Sequence, residues 1–273
     1  MQAGKAKAPV TMGHSRPSFI GEISNLQGSA LNILPPETDM SQTRRQQHPC
    51  GNCAFYRGSV WQPISISSVS VLTRGFARKN LVQGQALFHQ EDVNQGVFCV
   101  SSGLVALRAH HEDGRSTLLR LAYPGDVIGY RSFLENRAHR TEARALMPSR
   151  VCTVVGRDAR QLIGANPAVM SRLTSHCISE IDRNHDRIIA TATISNQQRL
   201  SDFLSRLLEA HGQTDKGHLR MKLPLSRRDL ADLLGVQPET VSRLFKRLQD
   251  EGQFSVSGRD ITKIAVSEKL QTA

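Results

Sequence analysis

The sequence predicts an α+β fold in which a roll of short β-strands is followed by one long helix and then by a compact unit of short helices and a β-hairpin. Three observations predict this order. Short apolar runs separated by glycine turns fill residues 81–155, a heptad-like repeat follows Pro167, and residues 226–248 show two amphipathic helices that meet at a glycine. With 273 residues, the chain has room for these parts as separate domains.

These observations divide the chain into four segments. Residues 1–48 are rich in Gly, Pro, Ser and Gln without a sustained period, so we expect a disordered or loosely attached N-terminal arm. We assign residues 49–165 to the β-roll, residues 166–196 to the long helix, and residues 197–273 to the C-terminal unit.

Charge and cysteine content narrow the class of protein. The formal net charge of +11 suits a polyanionic partner, although several of the positive residues lie in the N-terminal arm. Five cysteines, an odd number without framework spacing, favour reduced thiols in a cytoplasm over a disulfide scaffold. No apolar run is long enough to cross a bilayer and the N-terminus carries no secretion signal, so we expect a cytoplasmic protein with no membrane partner.

The predicted roll rests on alternation between apolar and polar residues. Residues 96–100, 103–107 and 116–121 show this alternation most clearly. Each run has the length of a typical strand and lies near a glycine or a polar turn. Closely spaced strands of this kind predict a compact β-roll or jelly roll.

The segment after Pro167 repeats with alternating spacings of four and three residues. The repeat comprises Met170, Thr174, Cys177, Ile181, Asn184, Ile188, Thr191 and Ser195. A seam of this kind predicts one helix of roughly thirty residues that pairs with a second copy of itself, so we expect a homodimer. A long helix packed between the domains of a single chain is the alternative.

Residues 226–248 carry the signals of two helices joined by a sharp turn. Ser226 is a good N-cap with Asp229 as a weaker capping-box partner, Gly235 supplies the turn, and Pro238 suits the first turn of the second helix. Apolar residues recur at helical spacing in both helices: Leu230, Leu233, Leu234, Val241, Leu244, Phe245 and Leu248. This pattern is typical of a helix-turn-helix, whose second helix enters the major groove of double-stranded DNA.

Two further observations concern the class of function. Residues 254–261 alternate around Gly258, which predicts a β-hairpin wing beside the helix-turn-helix. The sequence contains no nucleophile elbow, P-loop, Rossmann fingerprint or His-Glu-x-x-His pattern, so we expect a DNA-binding protein and not an enzyme. An enzyme-regulatory subunit that carries the same roll is the weaker alternative.

Several motifs together resemble the CRP/FNR superfamily of transcription regulators. In the roll these are residues 84–88 (GQALF), 96–103 (GVFCVSSG) and 124–129 (PGDVIG), and in the second helix residues 239–243 (ETVSR). The resemblance extends over residues 50–266, and the ETVSR segment is similar to the FNR/FixK-like branch. It implies a cyclic-nucleotide-binding-like β-roll, a dimerisation helix, a winged helix-turn-helix, and a regulator that works with RNA polymerase.

The resemblance and the chemistry of base edges indicate which residues contact DNA. A guanidinium matches the two acceptors of guanine and a carboxylate accepts from cytosine, so Arg243 and Glu239 are the expected base readers, with Ser242 and Thr240 beside them. Nearby basic residues are expected to be phosphate contacts or solvated charges: Arg227, Arg228, Lys246, Arg247 and Arg259. Pro238 offers no donor to a base, which favours TTGA-like over GTGA half-sites in an inverted repeat.

The resemblance also implies an effector pocket in the roll. In the cyclic-nucleotide branch, a Glu follows the PGD-x-x-G turn and an Arg-Ser or Arg-Thr pair comes later. This chain has Tyr130 at the first position and Arg140 with Thr141 at the second, so only half of such a pocket is present. A cyclic nucleotide or another small ligand is therefore an alternative effector.

Cysteines supply a second candidate sensor. FNR proteins, which the chain resembles, hold an oxygen-labile iron–sulfur cluster through cysteines ahead of the roll and one within it, and Cys50, Cys53 and Cys152 match these positions. Ser59 stands where a third N-terminal cysteine is expected, and a serine oxygen is a poor ligand for such a centre. Three other residues are candidates for the missing ligand: Cys99, Cys177 and His48. The sequence therefore does not identify the cofactor, and an iron–sulfur cluster is one candidate.

Other interpretations of these side chains stay open. Cys50 and Cys53 also suit a redox dithiol or a vestigial pair, and Cys152 suits a buried strand cysteine. Haem ligation would draw on scattered histidines: His89, His110, His111 and His139. We expect a homodimeric transcription regulator that responds to oxygen or redox state. A small-ligand-responsive regulator and a constitutive DNA binder with a degenerate sensor are the alternatives.

Overall fold

The computed structural model describes residues 47–215 and 217–264, so the predicted N-terminal arm lies almost entirely outside the described residues. Eight strands of the described residues form the roll: β1 (Phe76–Leu81), β2 (Ala86–Phe88), β3 (Gly96–Ser102), β4 (Val105–His110), β5 (Ser116–Ala122), β6 (Val127–Ile128), β7 (Glu142–Ala145) and β8 (Ser149–Val155). They pair antiparallel in two sheets with the strand orders β1-β8-β3-β6 and β2-β7-β4-β5. The β-roll predicted from the alternation is confirmed.

The interior of the roll is filled by side chains that point inward from both sheets. On β3, Phe98 and Val100 belong to this interior, whereas Val97 and Cys99 alternate to the outer face. Residues of both sheets form the buried interior: Leu81, Phe88, Phe98, Val100, Val105, Leu107, Ala122, Ile128, Ala143, Ala145 and Val151. Each strand therefore places apolar residues toward this interior at every second position, as Phe98 and Val100 do on β3.

The outer face of the first sheet is covered by the N-terminal segment and by three helices. The helices are α1 (Val69–Gly75), α2 (Tyr130–Glu135) and α3 (Gly156–Ala165). Trp61 and Leu72 are buried against this face together with Val154 of β8. Gly75 permits the close approach of α1 to α3, because a Cβ atom at this position would lie 2.6 Å from the Cβ of Asp158.

The predicted long helix is α4 (Pro167–Thr193), which begins at a proline in the position where proline suits a helix. Buried Arg172 donates hydrogen bonds to the Ser59 carbonyl at 3.0 Å and to Gln62 Oε1 at 2.7 Å, which fastens the N-terminal segment to the helix. The helix ends before residue 196 because Ser195 caps the next helix and accepts from the backbone N–H of Gln198. No helix in the described part of the chain is long and apolar enough to cross a membrane.

The C-terminal unit contains three helices and a small sheet. Its elements are α5 (Asn196–His211), β9 (Gln213–Asp215), β10 (His218–Lys222), α6 (Arg227–Leu234), α7 (Pro238–Asp250), β11 (Phe254–Ser257) and β12 (Asp260–Lys263). The four strands pair antiparallel in the order β11-β12-β10-β9. The predicted helix-turn-helix is α6 with α7, and the predicted wing is β11 with β12.

Local signals determine where the helix-turn-helix begins and turns. Ser226 and Asp229 form a reciprocal capping box at the start of α6. Gly235 ends α6 in the left-handed region at a φ of 69°, which a residue with a side chain rarely adopts. Pro238 then begins α7. These short-range interactions explain why the sequence pattern predicted both helices.

The C-terminal unit packs against the second sheet of the roll. Leu118 of β5 and Leu230 of α6 belong to one buried cluster. Beside it, Arg108 Nη1 of β4 lies 2.6 Å from Asp229 Oδ1 in an ion pair. The backbone N–H of Leu118 donates to Asp232 Oδ2 at 2.8 Å. Apolar burial and polar contacts therefore both join α6 to the roll.

Candidate nucleic-acid interface and thiol cluster

The exposed side of α7 carries the residues predicted to contact DNA. The opposite side is a buried apolar stripe: Val241, Leu244, Phe245 and Leu248. Five of the predicted contacts are exposed: Glu239, Ser242, Arg243, Lys246 and Arg247. Thr240 is half-buried at the boundary. One side of the helix therefore anchors it to the protein, and the other presents polar groups that fit a groove of DNA.

The exposed side of α7 carries hydrogen-bonding groups of the kinds that contact bases. One nitrogen of Arg243, Nη2, donates a long hydrogen bond of 3.5 Å to the Thr240 hydroxyl. Ser242 donates to the Pro238 carbonyl at 3.3 Å. Glu239 lies in the first turn, where a carboxylate is favourable near the positive end of the helix dipole. The surface combines a planar donor, a hydroxyl and a carboxylate acceptor, which are groups that pair with base edges.

Arg227 and Arg228, predicted together as phosphate contacts, have different surroundings. The guanidinium carbon of Arg227 lies 3.5 Å from the centre of the Phe245 ring, and burial lowers the pKa of this guanidinium. Its Nη1 atom is buried and has no hydrogen-bond partner among the described residues. Arg228 is exposed. Arg227 therefore packs α6 against α7, whereas Arg228 faces solvent.

An apolar stripe lies on the exposed side of α4. Its members are between 39% and 68% exposed: Met170, Ile178, Ile181, Ile188 and Ile189. Cys177, which was predicted in the seam, is half-buried and packs against the cluster on the outer face of the roll. Sequence spacing did not select Ile178, because both Cys177 and Ile178 fit a repeat of four and three around Thr174 and Ile181. An exposed apolar stripe of this kind marks an interaction surface.

Cysteines from distant parts of the chain converge on the outer face of the first sheet. Cys99 on β3 and Cys152 on β8 are direct partners in the antiparallel register. Arg78 on β1 is the partner of Cys152 on its other side, and its Nη2 donates to the Pro49 carbonyl at 2.8 Å. This bond holds the turn of residues 50–53 over the same strands. We refer to the following residues as the thiol cluster: Cys50, Cys53, Cys99 and Cys152.

Electrostatic coupling also indicates that these thiols are neighbours. Burial, followed by the nearby Cys152 and Cys53, raises the pKa of Cys50 to about 12, although a hydrogen bond from Ser59 lowers it. Burial likewise raises the pKa of Cys99, and Cys50, Cys152 and Cys53 add to the rise. All five cysteines of the chain are free thiols. A metal that bound here would therefore displace protons from the sulfur atoms.

The thiol cluster offers sulfur donors, which are the ligand type of iron–sulfur groups. Within residues 47–215 and 217–264, no three His, Cys, Asp or Glu side chains are placed to hold one metal ion. An iron–sulfur cluster distributes its cysteine ligands over several irons, so the thiolates stand further apart than around one ion. Four thiols, drawn from one turn and two strands, are the donor set that such a group uses.

The residues considered for an effector pocket are engaged differently. The Tyr130 hydroxyl donates to Glu180 Oε2 of α4 at 2.6 Å, and burial together with this hydrogen bond raises the pKa of Tyr130. Arg140 is exposed, and Thr141 is half-buried in the bend before β7. Among the hydrogen bonds of the described residues, none joins Tyr130 to either of them. Tyr130 therefore connects the roll to the long helix.

The histidines considered for haem lie in two places. His139 is buried inside the roll, and its ring stacks on that of a phenylalanine with 3.6 Å between their centres. His89 and His110 flank buried Glu142, at 3.1 and 3.6 Å from its carboxylate oxygens. These three side chains line an open cavity, and His111 lines it as well. Sequence reasoning missed the grouping around Glu142, because this carboxylate is 53 positions from His89.

Known protein families match both folded domains in the observed order. A family model described as the cyclic nucleotide-binding domain matches residues 78–166. A second model, described as the Crp-like helix-turn-helix domain, matches residues 198–272. The first match covers the roll from β1 to the end of α3. The second covers α5, the helix-turn-helix and the wing.

Relatives of known role match most of the chain. It is 28% identical over 213 residues to the nitrogen fixation regulation protein FixK of Bradyrhizobium diazoefficiens. The aligned region covers 77% of this chain and 87% of FixK. It is 25% identical over 247 residues to the anaerobic regulatory protein of Aggregatibacter actinomycetemcomitans. Here the aligned region covers 88% of this chain and 95% of the relative. The structure of FixK2 from Bradyrhizobium japonicum is similar with a TM-score of 0.57 at 25% identity, covering 72% of this chain and 96% of that one.

These similarities agree with the class of protein predicted from the sequence. The matched relatives are regulators and not enzymes. FixK and the anaerobic regulator also agree with the similarity of the ETVSR segment to the FNR/FixK-like branch. Two family matches, relatives over most of the chain and a shared fold all agree. The chain therefore belongs to the CRP/FNR superfamily of DNA-binding transcription regulators.

Proposed function

We propose that the protein is a homodimeric transcription regulator that binds an inverted repeat with TTGA-like half-sites and works with RNA polymerase. We further propose that it responds to oxygen or redox state through Cys50, Cys53 and Cys152. The observation that carries the response is the thiol cluster, in which the N-terminal turn meets two strands of the roll. Similarity to a protein named an anaerobic regulatory protein also supports a response to oxygen.

The proposed operator follows from the exposed side of α7. Arg243 would donate to the two acceptors of guanine, and Glu239 would accept from the amino group of cytosine. Pro238 at the start of the helix lacks an N–H and has no donor for a further guanine. These side chains therefore favour TTGA over GTGA. Arg228, Lys246 and other exposed cations would contact the phosphates.

The proposed dimer is supported by the apolar stripe on α4. At 1.5 Å per residue, this helix of 27 residues is about 40 Å long, which is sufficient for an extended contact between two copies. Parallel pairing of two α4 helices would bury the stripe. It would also present two α7 helices to successive major grooves, so we expect half-site centres roughly 10 to 11 base pairs apart.

The response would begin at the thiol cluster. An iron–sulfur cluster, when bound, supplies oxygen-sensitive redox chemistry, and the thiolates of Cys50, Cys53 and Cys152 would hold it. Loss of these bonds would release the N-terminal turn from the strands. Arg172 of α4 is hydrogen-bonded to the Ser59 carbonyl in the same N-terminal segment. Movement of that segment is therefore transmitted to the helix that bears the proposed dimer interface.

Gel-shift titrations of the purified full-length protein test this proposal. Protein prepared without oxygen should bind an inverted TTGA repeat more tightly than a GTGA repeat, and exposure to air should weaken the binding. Cys53→Ala should abolish the difference between anaerobic and air-exposed protein. Equal affinity before and after air would indicate a constitutive DNA binder. Tighter binding on addition of cyclic AMP, with no effect of air, would favour the cyclic-nucleotide alternative.

A further inference from the structure

We infer that Cys99 on β3 supplies the fourth thiol of the redox site, in the place that the sequence pattern of relatives would assign to a third N-terminal cysteine. The inference rests on the proposed function, because it concerns the group held by Cys50, Cys53 and Cys152. In this chain, the ligand set uses two neighbouring strands of the roll and one N-terminal turn.

A fourth thiol is needed because iron–sulfur clusters of this kind are held by four cysteine thiolates. Ser59 stands at the expected N-terminal position, but its oxygen is a hard ligand and poorly suited to such a centre. The Ser59 hydroxyl is also engaged locally, since it accepts from the backbone N–H of Trp61 at 3.3 Å and forms a hydrogen bond with Cys50. Ser59 therefore supports the turn and leaves one ligand position unfilled.

The strand register places Cys99 where the missing thiol is needed. Cys99 and Cys152 are directly opposite each other on antiparallel strands, so their side chains project from the same face of the sheet. Directly opposite residues have Cβ atoms about 4.5–5.5 Å apart, which allows both sulfur atoms to bind one multi-iron group. The face is the outer one, opposite to inward-pointing Phe98 and Val100. Arg78, which lies beside Cys152 on this face, donates to the carbonyl of Pro49, the residue that precedes Cys50.

The other two candidate ligands occupy unsuitable positions. Both ring nitrogens of His48 are engaged, Nε2 with the Trp61 carbonyl at 2.9 Å and Nδ1 with the backbone N–H of Cys50 at 3.0 Å. Cys177 lies on α4, where the charged groups that act on its thiol are Glu180 and Arg131. The Tyr130 side chain is also hydrogen-bonded to Cys177. Cys99, in contrast, lies directly opposite Cys152, and its thiol is close enough to those of Cys50 and Cys53 for an electrostatic interaction.

A cation beside the thiol cluster is consistent with this assignment. Four thiolates would concentrate negative charge in a partly buried place, which is unfavourable without compensation. Arg78 lies opposite Cys152 in the β1–β8 register, and its side chain is hydrogen-bonded to the Cys152 sulfur. The same guanidinium binds the Pro49 carbonyl. Arg78 thus joins the N-terminal turn to the strands and also supplies a positive charge.

The test compares full-length variants that are purified anaerobically and supplied with iron and sulfide. Cys99→Ala and Cys50→Ala should both lose bound iron and acid-labile sulfide, with retention at least about tenfold below wild type, together with the visible absorption. Cys177→Ala, which removes a half-buried thiol outside the thiol cluster, should retain all three signals. Ser59→Ala should retain more iron and sulfide than Cys99→Ala, because it removes a hydrogen bond that supports the turn and not a ligand. Circular dichroism and thermal melting of each variant establish that the roll is folded.

The outcomes separate this inference from the proposed function. Iron retention in Cys99→Ala equal to that of wild type would overturn the role of Cys99 but leave an oxygen-responsive regulator intact. Absence of iron and sulfide from wild type would overturn the assignment of Cys99 together with the iron–sulfur cluster, while air-dependent DNA binding would then indicate thiol oxidation. If Cys99→Ala fails to fold, Cys99→Ser provides the same comparison with a side chain of nearly equal size.

Discussion

Residues of one type perform different tasks within the helix-turn-helix. Arg227 is half-buried and stacked on Phe245, whereas Arg243 is exposed one turn from the start of α7. Stacking of a guanidinium on an aromatic ring stabilises packing, and an exposed guanidinium can match the two acceptors of guanine. The positive charge of the chain therefore comprises cations that hold the domain together and cations available to DNA. Arg227 belongs to the first group because it stacks on Phe245, whereas Arg243 belongs to the second because it is exposed.

Arg243→Ala should reduce both the affinity for DNA and the discrimination between half-sites. We expect a loss on the order of 1–3 kcal/mol for the TTGA repeat and a smaller loss for a repeat in which the guanine is replaced. Lys246→Ala is the matched control on the same exposed side. It should weaken both repeats by similar amounts and reduce the salt slope by about one phosphate contact. Fluorescence anisotropy at several salt concentrations measures both effects, and equal losses for Arg243→Ala on the two repeats would contradict base readout.

Sequence spacing predicted some of these residue positions and not others. The helical period fixes which side of α7 is buried, so the exposed positions of Glu239 and Arg243 followed from the pattern alone. The pairing of Cys99 with Cys152 did not, because it depends on which strands become neighbours after folding. The stacking of Arg227 on Phe245 also depends on how two helices cross. Local periodicity determines faces, whereas tertiary packing determines partners.

Among the elements, α4 contains the clearest unpaired surface. Its period predicted one long helix, and the structure has 27 residues in a single helix. The exposed apolar stripe differs from the predicted repeat at one position. Cys177 packs against the roll, and Ile178 is exposed in its place. Tyr130 fixes this rotation of the helix through its hydrogen bond to Glu180. Contacts with the roll therefore decide which residues of the repeat remain exposed.

The double variant Ile181→Glu with Ile188→Glu should convert dimers to monomers. Two carboxylates in each stripe would meet their copies in an apolar interface, where buried like charges are strongly unfavourable. DNA affinity should fall because one helix-turn-helix contacts only one half-site. The control is Val82→Glu with Val93→Glu, which adds the same charge at two exposed apolar positions of the roll. Sedimentation velocity measures the mass, and a dimer in the first variant would rule out this stripe as the interface.

In the whole molecule, the roll, the long helix and the helix-turn-helix meet beside α6. Arg187 of α4 donates to the Leu119 carbonyl of the roll at 2.8 Å and to the Asp232 carbonyl of α6 at 2.9 Å. The Arg108–Asp229 ion pair adds a charged contact between β4 and α6. Sequence reasoning identified Asp229 only as a cap, because its second partner lies in another domain. These contacts physically connect the roll, α4 and α6.

The Arg108–Asp229 pair should make the stability of this junction depend on pH. Burial opposes ionisation of Asp229, but hydrogen bonds from Arg108 and Ser226 outweigh it and lower its pKa. The contribution of the pair is therefore fully present above the ordinary carboxyl pKa of about 3.9 and is lost as the pH falls through the lower folded value. Arg108→Gln should cost about 1–3 kcal/mol at neutral pH, because it leaves a buried carboxylate without its charged partner.

Urea unfolding at neutral and acidic pH measures this dependence. The difference in midpoint between wild type and Arg108→Gln should be largest at neutral pH and should shrink in acid, where protonated Asp229 no longer attracts the guanidinium. Arg115→Gln is the matched control, since it removes an ion pair with Asp113 at a solvent-exposed turn of the same roll. Its midpoint should stay close to that of wild type, because exposed pairs contribute little. If Arg108→Gln shifted the midpoint equally at both values of pH, its effect would arise from lost packing of the side chain and not from its charge.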